Sequence, residues 1–260
     1  MDCIIFRGHN QESEAFKYNL DKLIRQCSKD YHIVVGYDCT NRDKFYDDRV
    51  EVFNFSADDY IKSGFPCVGH DTVIEWLVTM PEIGNPVRLI YYNIEFAQVL
   101  YWNKKRGFDN YWYFEYDVGF GGNLKDFFDN QTKRQQGVDL VCTMLRRLDE
   151  NPKFKHYIDC LGGFPFEPYK HTYSMFAPVF RLSRKFIEEY YYDLLTKRIR
   201  GYCESLMPTW AMWKGLTIRD VNSAGLCCTP ITYNSTPNNH EWIRNGINHM
   251  FTGMLVHPVY

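Results

Sequence analysis

The chain has 260 residues and a formal net charge of −2, which leaves it without the broad positive surface that supplies most nucleic-acid affinity. Its length suits one sizeable α/β domain; composition does not shift along it, and no Ser/Gly/Pro-rich linker divides it. Nine cysteines, an odd number without a CxxC pair, point to neither a disulfide framework nor a zinc site and fit reduced thiols in a cytoplasmic protein.

Cys3-Ile4-Ile5-Phe6 reads as a buried first strand. It is followed by Arg7 and is too short for a signal peptide or a membrane span. Residues 12–27 set Phe16, Leu20, Leu23, Ile24 and Cys27 on one helical face. His32 to Gly36 is a second apolar, β-branched run. Strand, helix and strand in this order begin a parallel sheet.

Residues 50–55 alternate like a half-buried strand, and 71–80 and 92–105 read as helices, the first with Asp71 as N-cap. Tyr111 to Phe114 forms an aromatic strand running straight into Glu115-Tyr116-Asp117, and Gly119, Gly121 and Gly122 follow. Residues 138–145 give the next strand. Ser183 caps a helix to residue 199 with Phe186, Ile187, Tyr190, Leu194 and Leu195 on its buried side. A helix from Glu204 to Lys214 stops at Gly215, 216–221 returns as a strand, and the Asn-, Pro- and His-rich tail beyond Gly225 reads as loop.

Ligands of an open parallel sheet gather at the carboxyl ends of its strands. In extended backbone Glu115 and Asp117 point to the same side, so both carboxylates can face one hard cation, Mn²⁺ or Mg²⁺, that keeps positions open for phosphate oxygens. An ordinary acidic turn is the bland alternative.

Phe114-Glu115-Tyr116-Asp117-Val118 resembles the DxD motif of the nucleotide-sugar-dependent GT-A glycosyltransferases, with Glu in place of the first Asp. The resemblance implies that Asp117 binds the metal and that Glu115 contacts the ribose or the metal. Tyr37-Asp38 is similar to the segment that holds base and ribose in that family. Gly162-Gly163 through Phe176 resembles the acceptor loop, and Phe176 to Ser183 the stretch before the acceptor-side helix. Glu204 matches the position from which inverting members take their general base, and His257 the late histidine that completes the metal site.

The family resemblance spans nearly the whole chain and rests on the order and spacing of these segments. It implies a GT-A-like α/β domain over 1–260, with a nucleotide-sugar-binding half at 1–120 and an acceptor-binding half at 121–260. It further implies a UDP- or GDP-sugar donor, a glycan acceptor and inversion. Size and style are similar to glycosyltransferases of large algal viruses.

Each residue has a plainer reading beside this one. Glu204 also suits the first turn of a helix, Asp38 a turn, and His257 competes with His249. Arg88 is a candidate to neutralise a diphosphate, whereas Lys104-Lys105-Arg106 reads as a solvated run at a helix end. Trp210 and Trp213 suit an acceptor sugar or the core equally. A non-catalytic carbohydrate-binding or structural protein on the same fold is the main alternative. A nucleotidyltransferase is disfavoured because Arg7-Gly8-His9-Asn10 supplies only one glycine.

Overall fold

Alternation decides how the first strand is used. In β1 (Cys3–Gly8), Cys3 and Ile5 enter one layer of the core while Ile4 and Phe6 enter the other, as a strand covered on both faces requires. The computed structural model describes residues 1–68, 86–147, 161–166, 172–224 and 255–256.

β1 pairs in parallel with β2 (His32–Asp38) on one side and β4 (Asn110–Glu115) on the other, and β2 pairs in parallel with β3 (Glu51–Phe55). Beyond β4 the chain inserts β7 (Tyr173–Ser183), antiparallel to both β4 and β6 (Leu140–Arg147); β8 (Ile218–Asp220) runs parallel to β6. The seven-stranded order is β3-β2-β1-β4-β7-β6-β8. Within it β7 alone opposes the common direction.

The helices are α1 (Glu14–Cys27), α2 (Ala57–Lys62), α3 (Pro86–Tyr92), α4 (Phe96–Lys104), α5 (Leu124–Arg134), α6 (Arg184–Thr196) and α7 (Cys203–Trp213). Phe16, Leu20 and Leu23 of α1 and Phe127 and Phe128 of α5 pack on one face of the sheet; α2, α3, α4, α6 and α7 pack on the other. The expected α/β architecture, a mostly parallel sheet with helices on both faces, is the observed one. No helix among the described residues is long and apolar enough to cross a membrane.

Several boundaries differ from the sequence reading for local reasons. The helix expected over 92–105 starts only at Phe96, because Asn93 turns its side chain back on the chain: its amide donates to Leu89 O at 2.7 Å and to Val68 O at 3.0 Å. The helix expected over 71–80 lies outside the described residues. β7 carries Pro178, which cannot donate to a ladder, and the strand accommodates it by a bulge. Pairing with β6 jumps from Val141↔Arg181 to Thr143↔Phe176, and the inward parity shifts with it, from Met175 and Ala177 to Phe180 and Leu182. In the tail expected to be loop, β9 (Leu255–Val256) pairs with β5 (Gly119–Phe120).

Candidate active site

Three strands deliver polar side chains to one face of the sheet at its carboxyl edge. Asp38 ends β2, Arg7 is next to last in β1, and Glu115 ends β4; each lies an even number of residues beyond positions that feed the same core layer, Val34, Ile5 and Tyr113. Arg7 and Glu115 are register partners across β1 and β4. The guanidinium Nη1 of Arg7 donates to Glu115 Oε1 at 3.0 Å and to the Tyr113 hydroxyl at 3.2 Å. Burial opposes the Arg7 charge, yet Tyr113, Glu115, Tyr60 and Asp38 more than offset it, so the guanidinium is held ionised. Asp38 is buried and accepts the Thr40 N–H at 2.9 Å, an Asx turn that fixes the exit of β2.

The turn after β4 is held from below by α1. The Asn19 amide donates to Tyr116 O at 2.8 Å and Val118 O at 3.0 Å, and Lys22 Nζ reaches Phe120 O at 2.6 Å. Burial, with Arg25 nearby, brings the Lys22 ammonium down to about 8. Tyr116 N donates to Arg7 O at 2.8 Å, and the His9 ring meets Tyr116 edge-on at 5.0 Å. Burial and the charges of Arg7 and Arg42 hold the His9 imidazole below its ordinary range.

Glu204 enters from α7. It is buried in the first turn, and its Oε1 accepts the Ala177 N–H of β7 at 3.0 Å. Because β7 runs antiparallel beside β4 with Val179 opposite Phe114, Ala177 stands near the end of β4, and Glu204 reaches from α7 toward the edge where β2, β1 and β4 present Asp38, Arg7 and Glu115. Tyr91 of α3, 51% exposed, packs at 6.3 Å on Tyr202, the residue that caps α7. Burial raises its hydroxyl, the Tyr202 bond opposes this, and Glu204, Cys203 and Glu115 add to the rise, so both carboxylates bear on one phenol. Arg88 sits on α3 three residues before Tyr91.

Other predicted residues are placed differently. Tyr37 is buried between Phe16 and Phe45 on the opposite face of the sheet from Asp38, its hydroxyl on the His9 carbonyl at 3.3 Å. Trp210 is core: it packs edge-on to Phe186 and Tyr190 and donates to Asp193 at 3.0 Å. Trp213 is partly buried against Phe164, with Lys197 over its ring at 4.7 Å. Gly162 bridges Arg200, and Gly163, at φ +79°, has Arg198 O within 2.7 Å of where a Cβ would stand. Lys105 pairs with Glu51 at 2.6 Å, at the amino end of β3 and so at the far end of the sheet from the carboxylates. His257 lies outside the described residues; its chain neighbour Val256 pairs with Gly119, two residues past Asp117.

Sequence reasoning missed Arg7, Asn19 and Tyr91. Arg7 had a usable signal, a charged residue inside the carboxyl end of an otherwise apolar strand. Asn19 and Lys22 also had one, two polar residues on the buried side of an amphipathic helix. Tyr91 had none.

Glu115 and Asp117, on either side of Tyr116, could offer oxygen donors of the kind a hard divalent ion takes. Among the described residues no group of three or more His, Cys, Asp or Glu is placed to hold a metal.

No family model and no curated protein matches the chain. Solved structures that align with it include the galactosyltransferase LgtC in complex with donor and acceptor sugar analogues, at 12% identity over 99% of this chain and 86% of that one, TM-score 0.47. Mouse xyloside xylosyltransferase 1 aligns at 9% identity over 99% and 97% of the two chains, TM-score 0.49. Core-mannan synthase A from Aspergillus fumigatus, in an Mn/GDP form, aligns at 10% identity over 84% and 72%, TM-score 0.38.

Proposed function

We propose that this chain is a metal-dependent, inverting glycosyltransferase of the GT-A type, moving a sugar from a UDP- or GDP-sugar to a glycan hydroxyl. The observation that carries the reading is the convergence of Asp38, Glu115 and Glu204, with Arg7 among them, on one carboxyl edge beside the Glu115-Tyr116-Asp117 turn. Parallel sheets bind nucleotides at this edge.

In this reading Asp38 and Glu115 take the nucleoside, and Arg88 is the candidate to neutralise the diphosphate. Asp117 and His257 hold Mn²⁺ or Mg²⁺; the antiparallel pairing of Val256 with Gly119 supports His257 as the second ligand. The ion, when bound, offsets the charge developing on the leaving diphosphate. Asn19 fixes the carbonyls on either side of Asp117, so the carboxylate is presented by a turn that need not rearrange.

Glu204 takes the proton of the acceptor hydroxyl as it attacks the anomeric carbon from the face opposite the diphosphate. Its bond to Ala177 N–H fixes one oxygen and so the orientation of the carboxylate. A base so placed contributes typically ~10²–10⁴-fold in rate.

The same bond also suits a second reading, a non-catalytic sugar-binding protein in which Glu204 only ties α7 to β7. Release of nucleoside diphosphate from a panel of UDP- and GDP-sugars, with and without Mn²⁺, separates the two. Metal-dependent release supports the enzyme; donor binding without release, for every acceptor tried, supports the binder.

A further inference from the structure

Glutamate is one methylene longer than the aspartate usual at the first motif position, and the fold gives that length a partner. Glu115 reaches back across the β1/β4 register to Arg7, whose guanidinium is buried and also held by Tyr113. The carboxylate itself remains 21% exposed at the edge, where a ligand can meet it. No other carboxylate among the described residues lies within ion-pair distance of Arg7.

We propose that Arg7 is a positioning residue: its pairing with Glu115 fixes the carboxylate that meets the bound nucleotide, and glutamate is the residue this pairing requires. The inference rests on the glycosyltransferase reading above. Aspartate at 115 would lose about 1.5 Å of reach, enough to break a bond that stands at 3.0 Å. A charge-assisted bond of this kind also sets direction, which a loosely tethered carboxylate loses.

The substitution that makes the motif look more like its family is therefore expected to impair it. The probes are UDP and GDP, each with Mn²⁺, titrated into Glu115→Asp, Arg7→Lys, Arg7→Met and the double variant Arg7→Met/Glu115→Asp, with a thermal melt of each. Glu115→Asp should bind the better nucleotide roughly tenfold more weakly than wild type. Arg7→Lys should fall between wild type and Arg7→Met, since it keeps the charge and loses the fork. The double variant should be little worse than either single one, the mark of two residues acting as a unit.

Glu115→Asp binding as tightly as wild type overturns the proposal, as does full additivity in the double variant. If Arg7→Met does not fold, Glu115→Asp and Arg7→Lys still decide it. Wild type binding neither nucleotide overturns the glycosyltransferase reading and this inference with it; wild type binding while Glu115→Asp is unimpaired overturns this inference alone.

Discussion

Asn19 brackets Asp117: its side-chain Nδ2 donates to the carbonyls immediately before and after that aspartate, at 2.8 and 3.0 Å. A helix packed beneath the sheet thus sets the backbone of the turn that the metal reading depends on. Neither residue is near the other in sequence, and neither local pattern announces the contact.

Asn19→Ala should therefore act twice. It removes the Asn19 donor from two carbonyls, Tyr116 O and Val118 O, at about 1–3 kcal/mol for each group left unsatisfied, so the melting temperature falls. It should also weaken nucleotide binding in the presence of Mn²⁺ more than in its absence, because Asp117 is the carboxylate whose turn loosens. Equal losses with and without metal, in calorimetric titrations, would assign Asn19 to stability alone.

Asp117→Ala is expected to do the opposite in the melt and the same in the titration. In the proposed reading its carboxylate serves the ligand, while the surrounding turn is held by Asn19 and Lys22 through backbone carbonyls that the substitution leaves in place. The variant should melt near wild type and lose metal-dependent donor affinity. Unchanged affinity would sink the metal assignment.

Glu95 gives a pH test that does not involve the edge. It is fully buried where α4 begins, accepts the Tyr190 hydroxyl at 2.9 Å on Oε1, and has no partner for Oε2 among the described residues. Burial raises its carboxyl from the ordinary 4.5 to about 8, against the lowering effect of its own backbone N–H and of Tyr190. Between those two values the folded chain keeps a proton that the unfolded chain has released, so stability falls as pH rises through the window. The slope is up to ~1.4 kcal/mol per pH unit. Glu95→Gln keeps an acceptor for Tyr190 and cannot ionise. Melts from pH 5 to 9 should show the variant gaining on wild type as pH rises; a constant offset would place the carboxyl elsewhere in its titration.

How far the sequence could be read depended on whether the signal was local. The β1–α1–β2 start was legible because alternation and helical spacing are properties of neighbours, and Ser183 was legible as a cap, which it is, accepting Phe186 N–H at 3.0 Å. β7 was not, since Pro178 argues against a central strand and only the bulge opposite β6 makes room for it. Strand order is a long-range fact: nothing near Arg7 says that Glu115, 108 residues later, is its register partner. Tyr37 and Asp38 show the same limit within one dipeptide, because adjacent residues of a strand face opposite sides. Asp38 faces the layer that Arg7 and Glu115 face, while Tyr37 packs on Phe16 and Phe45.

The last prediction concerns Glu204 and separates enzyme from binder. The Ala177 N–H needs an acceptor at Oε1, and glutamine supplies one, so Glu204→Gln should keep the tie between α7 and β7 and melt close to wild type. What glutamine cannot do is take a proton. A general base matters only as the acceptor proton leaves, so donor affinity should survive while kcat for transfer falls by ~10²-fold or more. Glu204→Ala, by contrast, removes the acceptor as well and should lower both stability and turnover. The glutamine variant therefore isolates the chemistry from the packing. NMR of the wild-type product should show an anomeric configuration opposite to the donor's; a retained configuration overturns the inverting reading. Near-normal turnover in Glu204→Gln, at unchanged donor affinity, leaves Glu204 as the structural tie it also is and sends the search for a base elsewhere along the same edge.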